Sequence, residues 1–319
     1  MQNNKYKLSV IIPVYGVEKY IEKCARSLFE QTLDQIEFIF INDCTKDRSI
    51  DILKNVIKDY PHRHDDIKIM TMPKNSGQAA VRQVGMESAI GEYIIHCDSD
   101  DWIDPDAYRI MYEEAHNGNY DLVFCDYCIV SDKQTKIVKR KVSNGSQDIV
   151  SLLVCSQIWT LWGALVKRDI CIKNQIRYPG ADNGEDMALM VQIASYAKTY
   201  KHIPSPLYYY RVDNNQSITN NVTVAGFLKR INNLYSNTNL IIDFFKDNNL
   251  SDKYCDLIVY LKLLCKVNFV TYTFDFGLKE IWNSFYPELK LINVLQVRLI
   301  PFRFKLYFMY LTLRFRLGL

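Results

Sequence analysis

Three carboxylates fall within the four residues Asp98, Ser99, Asp100 and Asp101. They follow directly on residues 93–97, an apolar run that predicts a short buried strand. Carboxylates this close repel one another, and binding of a hard cation such as Mg²⁺ or Mn²⁺ is the usual way to accommodate them. A cation at the carboxyl end of a strand in an α/β sheet commonly carries phosphates. The cluster therefore predicts a nucleotide-binding site, with a phosphate leaving group and a catalytic base elsewhere in the chain.

Strands and helices alternate through the first 120 residues. The β-branched and apolar runs predict four strands, and the segments between and after them have helical spacing of apolar residues. This β-α-β-α-β-α-β-α order predicts a doubly wound, mostly parallel α/β sheet. The predicted strands are 8–15, 36–41, 67–72 and 93–97, and the predicted helices are 18–30, 49–60, 79–89 and one opening at Asp104-Pro105.

Polar side chains follow the ends of these strands. Tyr15, Asp43 and Asn75 each stand just after one strand, and the aspartate cluster follows the fourth. Ligands of open α/β sheets bind beyond the carboxyl ends of the strands, so these residues should converge on one crevice.

The second half of the chain is less regular and then becomes helical. It predicts strands at 122–130 and 159–167, helices at 146–156 and from 183–186 to about 196, and an extended stretch at 204–211. From about residue 222 the pattern is helical. We expect one domain over 1–220 and a helical C-terminal region over 221–319.

The last 30 residues contain six Lys or Arg, no acid, and many aromatic residues. This composition predicts an interfacial helix on anionic lipid, and a helix docked on the core is the alternative. There is no uncharged apolar run of about 18 residues, and the polar start does not predict a signal peptide. We expect a cytoplasmic protein associated with the inner face of the plasma membrane.

Composition narrows the function classes further. Hydrophobic residues make up 48% of the 319, which is enough for a large core, and the net charge of +3 gives no argument for nucleic-acid binding. The nine cysteines are scattered, and Cys125 and Cys128 form a lone CxxC without a second ligand pair for zinc. Buried thiols in a reducing compartment are the simpler reading.

Several segments carry a specific combination of motifs. They are Ser9 to Tyr15, Gln31-Thr32-Leu33, Glu37 to Asp43, Asn75-Ser76-Gly77 with Arg82 and Gly85, Gly91 to Trp102, Trp162 to Arg168, and Glu185-Asp186. Together they resemble the family 2 glycosyltransferases of the GT-A fold, over about residues 7–215. The chain departs from that family at Cys44, where Gly is frequent, at Gln83 in place of Asn, and at Ala164 in place of Lys or Arg. Some relatives bring a late His to the metal, but no His follows His202.

The resemblance implies a role for each candidate donor-site residue. Asp100 would bind Mn²⁺ or Mg²⁺, and Asp98 would contact the ribose or a water on the metal. Asp43 would accept from a uracil N–H, with a turn-forming role before Thr45 as the alternative. Arg82 would reach the base or phosphate. Asp101 has a structural alternative, as a cap for the following turn. The remaining implied donor contacts are Pro13, Val14, Tyr15, Asn75 and Ser99.

The resemblance also implies the reaction and its acceptor side. Asp186 would be the base that takes the acceptor proton, and Glu185 would orient it or bind acceptor hydroxyls. Trp162 and the run Tyr208 to Tyr210 are candidates for stacking on sugar faces of the acceptor, with packing in the core as the alternative. Arg211 is a candidate acceptor contact, with the diphosphate or a neighbouring loop as its alternatives. The expected reaction is inverting transfer from a nucleotide-diphosphate sugar, typically a UDP-sugar, to a glycan or lipid-linked hydroxyl in cell-surface polysaccharide synthesis. The alternatives are a metal-dependent nucleotidyltransferase and a non-catalytic binding protein of this fold. No Walker A sequence or G-x-G-x-x-G frame occurs, which weakens kinases and dehydrogenases.

Overall fold

A computed structural model describes residues 5–140, 142, 148–174, 176–214, 223–268 and 282–317, and these residues contain a nine-stranded sheet. The strands are β1 (Leu8–Val14), β2 (Ile36–Asn42), β3 (Ile67–Thr71), β4 (Tyr93–His96), β5 (Trp102–Ile103), β6 (Leu122–Val130), β7 (Thr135–Val138), β8 (Ala164–Lys167) and β9 (Tyr200–Arg211).

Helices flank and follow these strands. They are α1 (Ile21–Phe29), α2 (Ser49–Ile57), α3 (Gln78–Ser88), α4 (Ala107–Asn117), α5 (Ile149–Ser156), α6 (Arg168–Lys173), α7 (Glu185–Tyr196), α8 (Val224–Asp247), α9 (Cys255–Asn268), α10 (Leu291–Gln296) and α11 (Phe302–Leu317), with a 3-10 helix at Pro61–Asp66.

The strand order is β3-β2-β1-β4-β8-β6-β9-β5, and β7 pairs with β6. Strands β1 to β4 are parallel, β8 is antiparallel to both β4 and β6, and β9 is parallel to β6. The carboxyl ends of β1, β2, β3, β4, β6 and β9 consequently lie at one edge. The α/β class with a GT-A-like, mostly parallel sheet is confirmed, and the antiparallel strands fall in its second half.

The central strands are apolar because both of their faces are covered. Nearly every side chain of β1 and β2 is buried. Helix α3 packs closely on them at Gly85, where a Cβ atom would lie 2.3 Å from Cγ2 of Ile11. A side chain at this position would push α3, and with it the loop that precedes it, away from the sheet.

Two polar residues inside these apolar strands bind each other. Glu37 is fully buried and accepts from Oγ of Ser9 at 2.5 Å, from N of Ile90 at 2.6 Å and from Nζ of Lys68 at 2.8 Å. Ser9 in turn accepts from N of Gly91 at 2.8 Å. These bonds satisfy a buried carboxylate and fix the turn that enters β4.

Several predicted boundaries differ from those of the structure. Helix α4 begins at Ala107 with Asp106 at its N-cap, because the carboxylate of Asp104 accepts from N of Asp106 at 3.0 Å and forms a turn first. Strand β8 begins only at Ala164, after Gly163 with φ of +65°. Helix α5 begins at Ile149, and residues 146 and 147 of its predicted range lie outside the described residues.

The chain divides into two compact units. The first comprises Met1–Gly180 and Leu189–Asn220, and the second comprises Ala181–Ala188 and Asn221–Leu319. The functional division at residue 220 stays a prediction. Among the described residues, no helix has the length and apolar character needed to span a membrane. Cys125 and Cys128 are buried, as predicted for strand thiols.

Candidate active site

The loop after β2 is bound to the loop before α3 through Asp43. Its carboxylate accepts from N of Ser76 at 2.7 Å and from N of Gly77 at 2.9 Å. Nδ2 of Asn75 donates to the carbonyl of Asp43 at 3.3 Å. Gly77 has φ of +86°, a conformation that glycine adopts without strain. Asp43 and Asn75 thus meet as predicted, and because the carboxylate already holds the turn, its contact with a base stays a prediction.

The end of β1 presents an aromatic ring to solvent. Pro13 is partly buried and Val14 is buried, whereas Tyr15 is 53% exposed. N of Asp43 donates to the carbonyl of Val14 at 3.0 Å, which continues the β1–β2 pairing to the edge of the sheet. Tyr15 directly follows the residue that is paired with Asp43, and an aromatic ring exposed to this degree is suited to stacking on a planar base.

A second set of hydrogen bonds holds the loop after Tyr15 in place. N of Gly16 donates to Oγ1 of Thr45 at 2.9 Å, and Thr45 and Ser49 both donate to the carboxylate of Asp47. Burial alone would raise the pKa of Asp47, but the hydrogen bonds from Ser49 and Thr45 outweigh it and lower that pKa. The loops after β1 and β2 therefore form one connected wall.

Cys44 occupies a backbone conformation that favours glycine. Its φ is +56°, and its thiol donates to the carbonyl of Met72 at 2.9 Å. A side chain in the left-handed region costs about 1–2 kcal/mol, part of which glycine gives back as chain entropy. The departure from the family's glycine at this position therefore carries a conformational cost.

We expect Cys44→Gly to unfold at higher urea concentration than Cys44→Ala. Both variants lose the thiol and its bond to Met72, but only alanine keeps a Cβ at positive φ. The expected difference in free energy of unfolding is about 1 kcal/mol. Equal stability of the two variants, or the reverse order, would show that this conformation is not strained.

Arg82 lies beneath Asp98. The guanidinium is completely buried, and its NH2 group donates to Oδ1 of Asp98 at 2.8 Å. Nε2 of Gln78 lies 3.5 Å from the same oxygen. This geometry favours a role for Arg82 in positioning Asp98 over the predicted direct contact with a base or phosphate, because a ligand has no open path to the guanidinium. Burial, and then the charge of Arg82, lowers the pKa of His96 well below its usual range.

Asp101 binds β9 to the loop from Asp98 to Asp101, which we call the aspartate loop. Its carboxylate accepts from Oη of Tyr208 at 2.7 Å and from N of Arg211 at 2.7 Å. Oη of Tyr208 also accepts from N of Asp98 at 3.1 Å. Burial, and then the charges of Asp100 and Asp98, raises the pKa of Asp101 well above its usual range. The structural reading of Asp101 fits this geometry, although its partner is a strand and not the following turn.

Asp100, like Asp98, is partly buried, whereas Asp101 is fully buried. Nδ2 of Asn214 donates to its Oδ2 at 2.8 Å. Burial, and then the charge of Asp98, raises the pKa of Asp100. Arg82 binds one oxygen of Asp98, and Asn214 binds one oxygen of Asp100. Each carboxylate therefore retains a second oxygen for a ligand. Ser99, between them, is buried.

These carboxylates suit a cation that is shared with substrate phosphates. In the described part of the chain, no group of three or more His, Cys, Asp or Glu side chains converges to enclose a metal ion. Mg²⁺ is usually held by one or two carboxylates together with substrate phosphates and water, not by a complete protein cage. Asp98 and Asp100 fit that incomplete type of site.

Trp162 lies in the core and not on an open sugar-binding surface. Its ring stacks on Tyr208 at 4.7 Å and on Tyr210 at 5.3 Å between centroids, and Arg140 lies 5.4 Å from its centroid. Only 6% of Trp162 is exposed. An acceptor sugar would have to displace one of these neighbours, so the geometry argues against the predicted stacking on the acceptor.

Arg211 packs against aromatic rings at the end of β9. Its guanidinium carbon lies 5.2 Å from the ring centroids of both Tyr20 and Trp102, and NH1 binds Asp213 at 3.1 Å. Nζ of Lys23 lies 3.1 Å from the centroid of Trp102. Burial, and then the charge of Arg211, lowers the pKa of Lys23. Arg211 thus belongs to a cationic aromatic patch, and its acceptor contact stays a prediction.

The acidic pair Glu185 and Asp186 begins α7 in the second unit. Glu185 is buried, whereas Asp186 is partly exposed. The preceding loop is held from α8, because Nδ2 of Asn237 donates at 2.9 Å to the carbonyls of both Ala181 and Asn183. A carboxylate in the first turn of a helix is stabilised in its charged form by the helix dipole.

The sequence motifs do not mark Tyr208, Asn214 or Gln78 as residues that support the aspartates. For Tyr208, the residue type predicts only stacking on a sugar or packing in the core, within the run Tyr208 to Tyr210. Asn214 stands three residues after the end of β9, and ligands of α/β sheets bind beyond the carboxyl ends of strands. This position is the sequence feature that could have indicated it. That β9 ends at the same edge as β4 requires the sheet order, which local periodicity does not give.

Comparison with solved structures supports the fold. Staphylococcus aureus TarS 1-349 in complex with UDP-GlcNAc matches with a TM-score of 0.58 and 17% identity, over 82% of this chain and 80% of that one. The mannosyltransferase PcManGT from Pyrobaculum calidifontis, in complex with GDP-Man and Mn²⁺, matches with a TM-score of 0.55 and 15% identity, over 98% of this chain and 87% of that one.

Comparison with sequences shows the family. The uncharacterized glycosyltransferase EpsJ of Bacillus subtilis is 30% identical over 221 residues, which are 66% of this chain and 62% of EpsJ. The chain thus spans less than two thirds of the length of this relative. The family model described as glycosyl transferase family 2 matches residues 9–178, slightly more than half of the chain and the segment that carries Asp43, Asp98 and Asp100. The chain belongs to glycosyl transferase family 2.

Proposed function

We propose that this chain is a metal-dependent, inverting glycosyltransferase that moves a sugar from a nucleotide-diphosphate donor to a hydroxyl of a glycan or lipid-linked acceptor. The observation that carries the proposal is the arrangement of Asp98 and Asp100. Each carboxylate has one oxygen bound by a protein side chain and a second available to a ligand. The exposed ring of Tyr15, at the carboxyl end of the neighbouring strand β1, supports the proposal.

Mn²⁺ or Mg²⁺, held by Asp100 with Asp98 beside it, would act as a Lewis acid that stabilises charge on the leaving diphosphate. Tyr15 would stack on the base of the nucleotide. The joined loops after β1 and β2, with Asp43 between them, would limit how deeply the base enters the site. Arg82 fixes the rotamer of Asp98 from below, and Asn214 does the same for Asp100. Preorganised groups of this kind contribute most where charge develops.

Asp186 accepts the proton of the acceptor hydroxyl as that hydroxyl attacks the anomeric carbon. It is the more exposed member of the acidic pair, and a base must come within hydrogen-bond distance of its substrate. Glu185, which is buried, positions the start of the helix. A single direct displacement inverts the anomeric centre, so an α-linked donor would give a β-linked product.

We infer that the donor is a UDP-sugar and that the product belongs to a cell-surface polysaccharide. The solved neighbours contain UDP-GlcNAc in one case and GDP-Man with Mn²⁺ in the other, so uridine is a proposal that rests on the family. The polysaccharide role rests on the family as well. We further propose that the chain acts at the inner face of the plasma membrane, through its basic C-terminal region.

Thermal unfolding with and without Mn²⁺, across UDP-, GDP- and dTDP-sugars, tests the donor site. A ligand at about 100 times its dissociation constant should raise the free energy of unfolding by about 2.7 kcal/mol. We expect a Mn²⁺-dependent rise in melting temperature with UDP-sugars. The absence of a rise with every donor would contradict the proposal.

The released product distinguishes the competing functions. A glycosyltransferase releases a nucleoside diphosphate from a nucleotide sugar, whereas a nucleotidyltransferase releases pyrophosphate from a nucleoside triphosphate and a sugar phosphate. Binding of a donor without release of either product, even with a broad panel of glycan acceptors, would favour the non-catalytic alternative.

A further inference from the structure

An exposed apolar stripe runs along α11 in the second unit. Phe302, Leu306, Tyr310 and Leu313 are spaced by four, four and three residues, which places them on one side of the helix. Phe302 is 72% exposed and Tyr310 is 53% exposed, while the side chains of Phe308 and Leu311, on the opposite side, are buried. The helix is therefore apolar on both sides, and only one of them packs against the protein.

The segment before α11 has the same two-sided character. Ile292, Leu295 and Leu299 are exposed, whereas the intervening Val294 and Val297 are buried. Nζ of Lys305 donates to the carbonyl of Leu295 at 2.8 Å, which ties α11 to the end of α10. Seven of the twelve exposed large apolar side chains of the described residues fall in this segment. We call them the outer stripe: Ile292, Leu295, Leu299, Phe302, Leu306, Tyr310 and Leu313.

Basic side chains border the outer stripe on both sides. At about 100° per residue, Arg303 and Arg314 lie on one side of the line of exposed residues along α11, and Lys305 lies on the other. No Asp or Glu occurs from Lys290 to the last residue. A second copy of this segment would bring like charges together, whereas an anionic lipid surface complements both the apolar line and its basic border.

We propose that the outer stripe inserts into the headgroup region of an anionic bilayer, with the basic border on the lipid phosphates. This inference rests on the proposed membrane partner of the C-terminal region, and it identifies the face that makes the contact. It places α11 parallel to the membrane plane, the orientation of interfacial helices whose apolar face is buried to a depth of about 5–10 Å.

Co-sedimentation of the full chain with vesicles tests this assignment. The vesicles are phosphatidylcholine alone or an equal mixture of phosphatidylcholine and phosphatidylglycerol. The test variant carries Leu306→Ser, Tyr310→Ser and Leu313→Ser. The control carries Ile137→Ser and Ile172→Ser, which remove comparably exposed apolar side chains outside the stripe.

We expect the wild type to bind the phosphatidylglycerol vesicles and to lose most of this binding in high salt or on phosphatidylcholine alone. The stripe variant should bind at least about tenfold more weakly, because apolar insertion and charge act together, while the control should match the wild type. Wild-type protein that stays in the supernatant, a stripe variant that binds as the wild type does, or equal loss in both variants would each overturn the proposal.

Two further measurements separate the remaining explanations. A wild type that is a dimer without lipid and does not bind vesicles, with a stripe variant that is a monomer, would assign the stripe to a second copy and overturn the membrane contact. Donor-dependent thermal stabilisation should be unchanged in the stripe variant. Failure of the membrane contact would thus leave the donor response intact, whereas failure of the proposed function would abolish it in the wild type.

Discussion

Asp100→Asn is expected to reduce sugar transfer by at least about 100-fold without weakening the fold, because it removes the proposed metal-binding carboxylate. Asparagine keeps an oxygen that can accept from Asn214, so the hydrogen bond at 2.8 Å survives. The wild-type carboxylate is mostly buried beside Asp98, and both effects disfavour its charge. Replacing it with a neutral amide should leave the melting temperature unchanged or raise it.

This opposition between activity and stability is what separates a ligand site from a structural cluster. If the carboxylate only supported the loop, its removal would lower both sugar transfer and the melting temperature. The control is Asp34→Asn, which removes an exposed carboxylate before β2, at the opposite edge of the sheet. We expect the control to keep full transfer and Mn²⁺-dependent stabilisation by the donor, and Asp100→Asn to lose both. Normal transfer by Asp100→Asn would exclude Asp100 as the metal ligand.

The donor side of the site follows from local sequence because parallel strands end at a common edge. Each of the first four strands is a short apolar run, and polar residues follow its carboxyl end, where ligands of such sheets bind. This rule predicts that Tyr15, Asp43 and Asn75 lie near one another, and in the structure Asn75 contacts Asp43. Even Gly85 was marked by the family motif, and its role is a close approach of α3 to β1.

The direction and burial of side chains did not follow from the sequence. Arg82 and Trp162 have residue types suited to phosphate and sugar, but both are buried. Arg82 turns toward Asp98, and Trp162 packs on Tyr208 and Tyr210. Whether a polar or aromatic residue faces a ligand or the core depends on neighbours that are distant in sequence, about which periodicity carries no information.

The contact between the aspartate loop and β9 also depends on residues that are distant in sequence. Tyr208 lies 110 positions from Asp98 along the chain, yet it binds the backbone of that residue and the carboxylate of Asp101. The pairing becomes visible only when β9 is placed parallel to β6 and beside β5. The aspartate loop is thereby anchored from two directions, by Arg82 from α3 and by Tyr208 from β9, which leaves little freedom in the carboxylates that are proposed to bind the donor.

Asp186→Asn is expected to lower kcat by about 10²–10⁴-fold, the usual contribution of a positioned general base. Asparagine has nearly the same shape and cannot take a proton. Because donor binding does not require this base, the donor-induced rise in melting temperature should persist. The acid limb of the pH dependence of kcat, which reports the ionisation of the base, should disappear or move in the residual activity of the variant.

Two matched variants make the assignment to Asp186 specific. Glu185 is buried and directly precedes it, so Glu185→Gln should have the smaller effect on kcat and the larger effect on stability. Asp182, in the loop before α7, provides a neighbouring carboxylate whose replacement by Asn should leave kcat near that of the wild type. A loss that is larger in Glu185→Gln than in Asp186→Asn, with the melting temperature intact, would transfer the role of base to Glu185. Unchanged kcat in both variants would mean that neither carboxylate takes the acceptor proton, and the base would then have to come from the substrate or from another element.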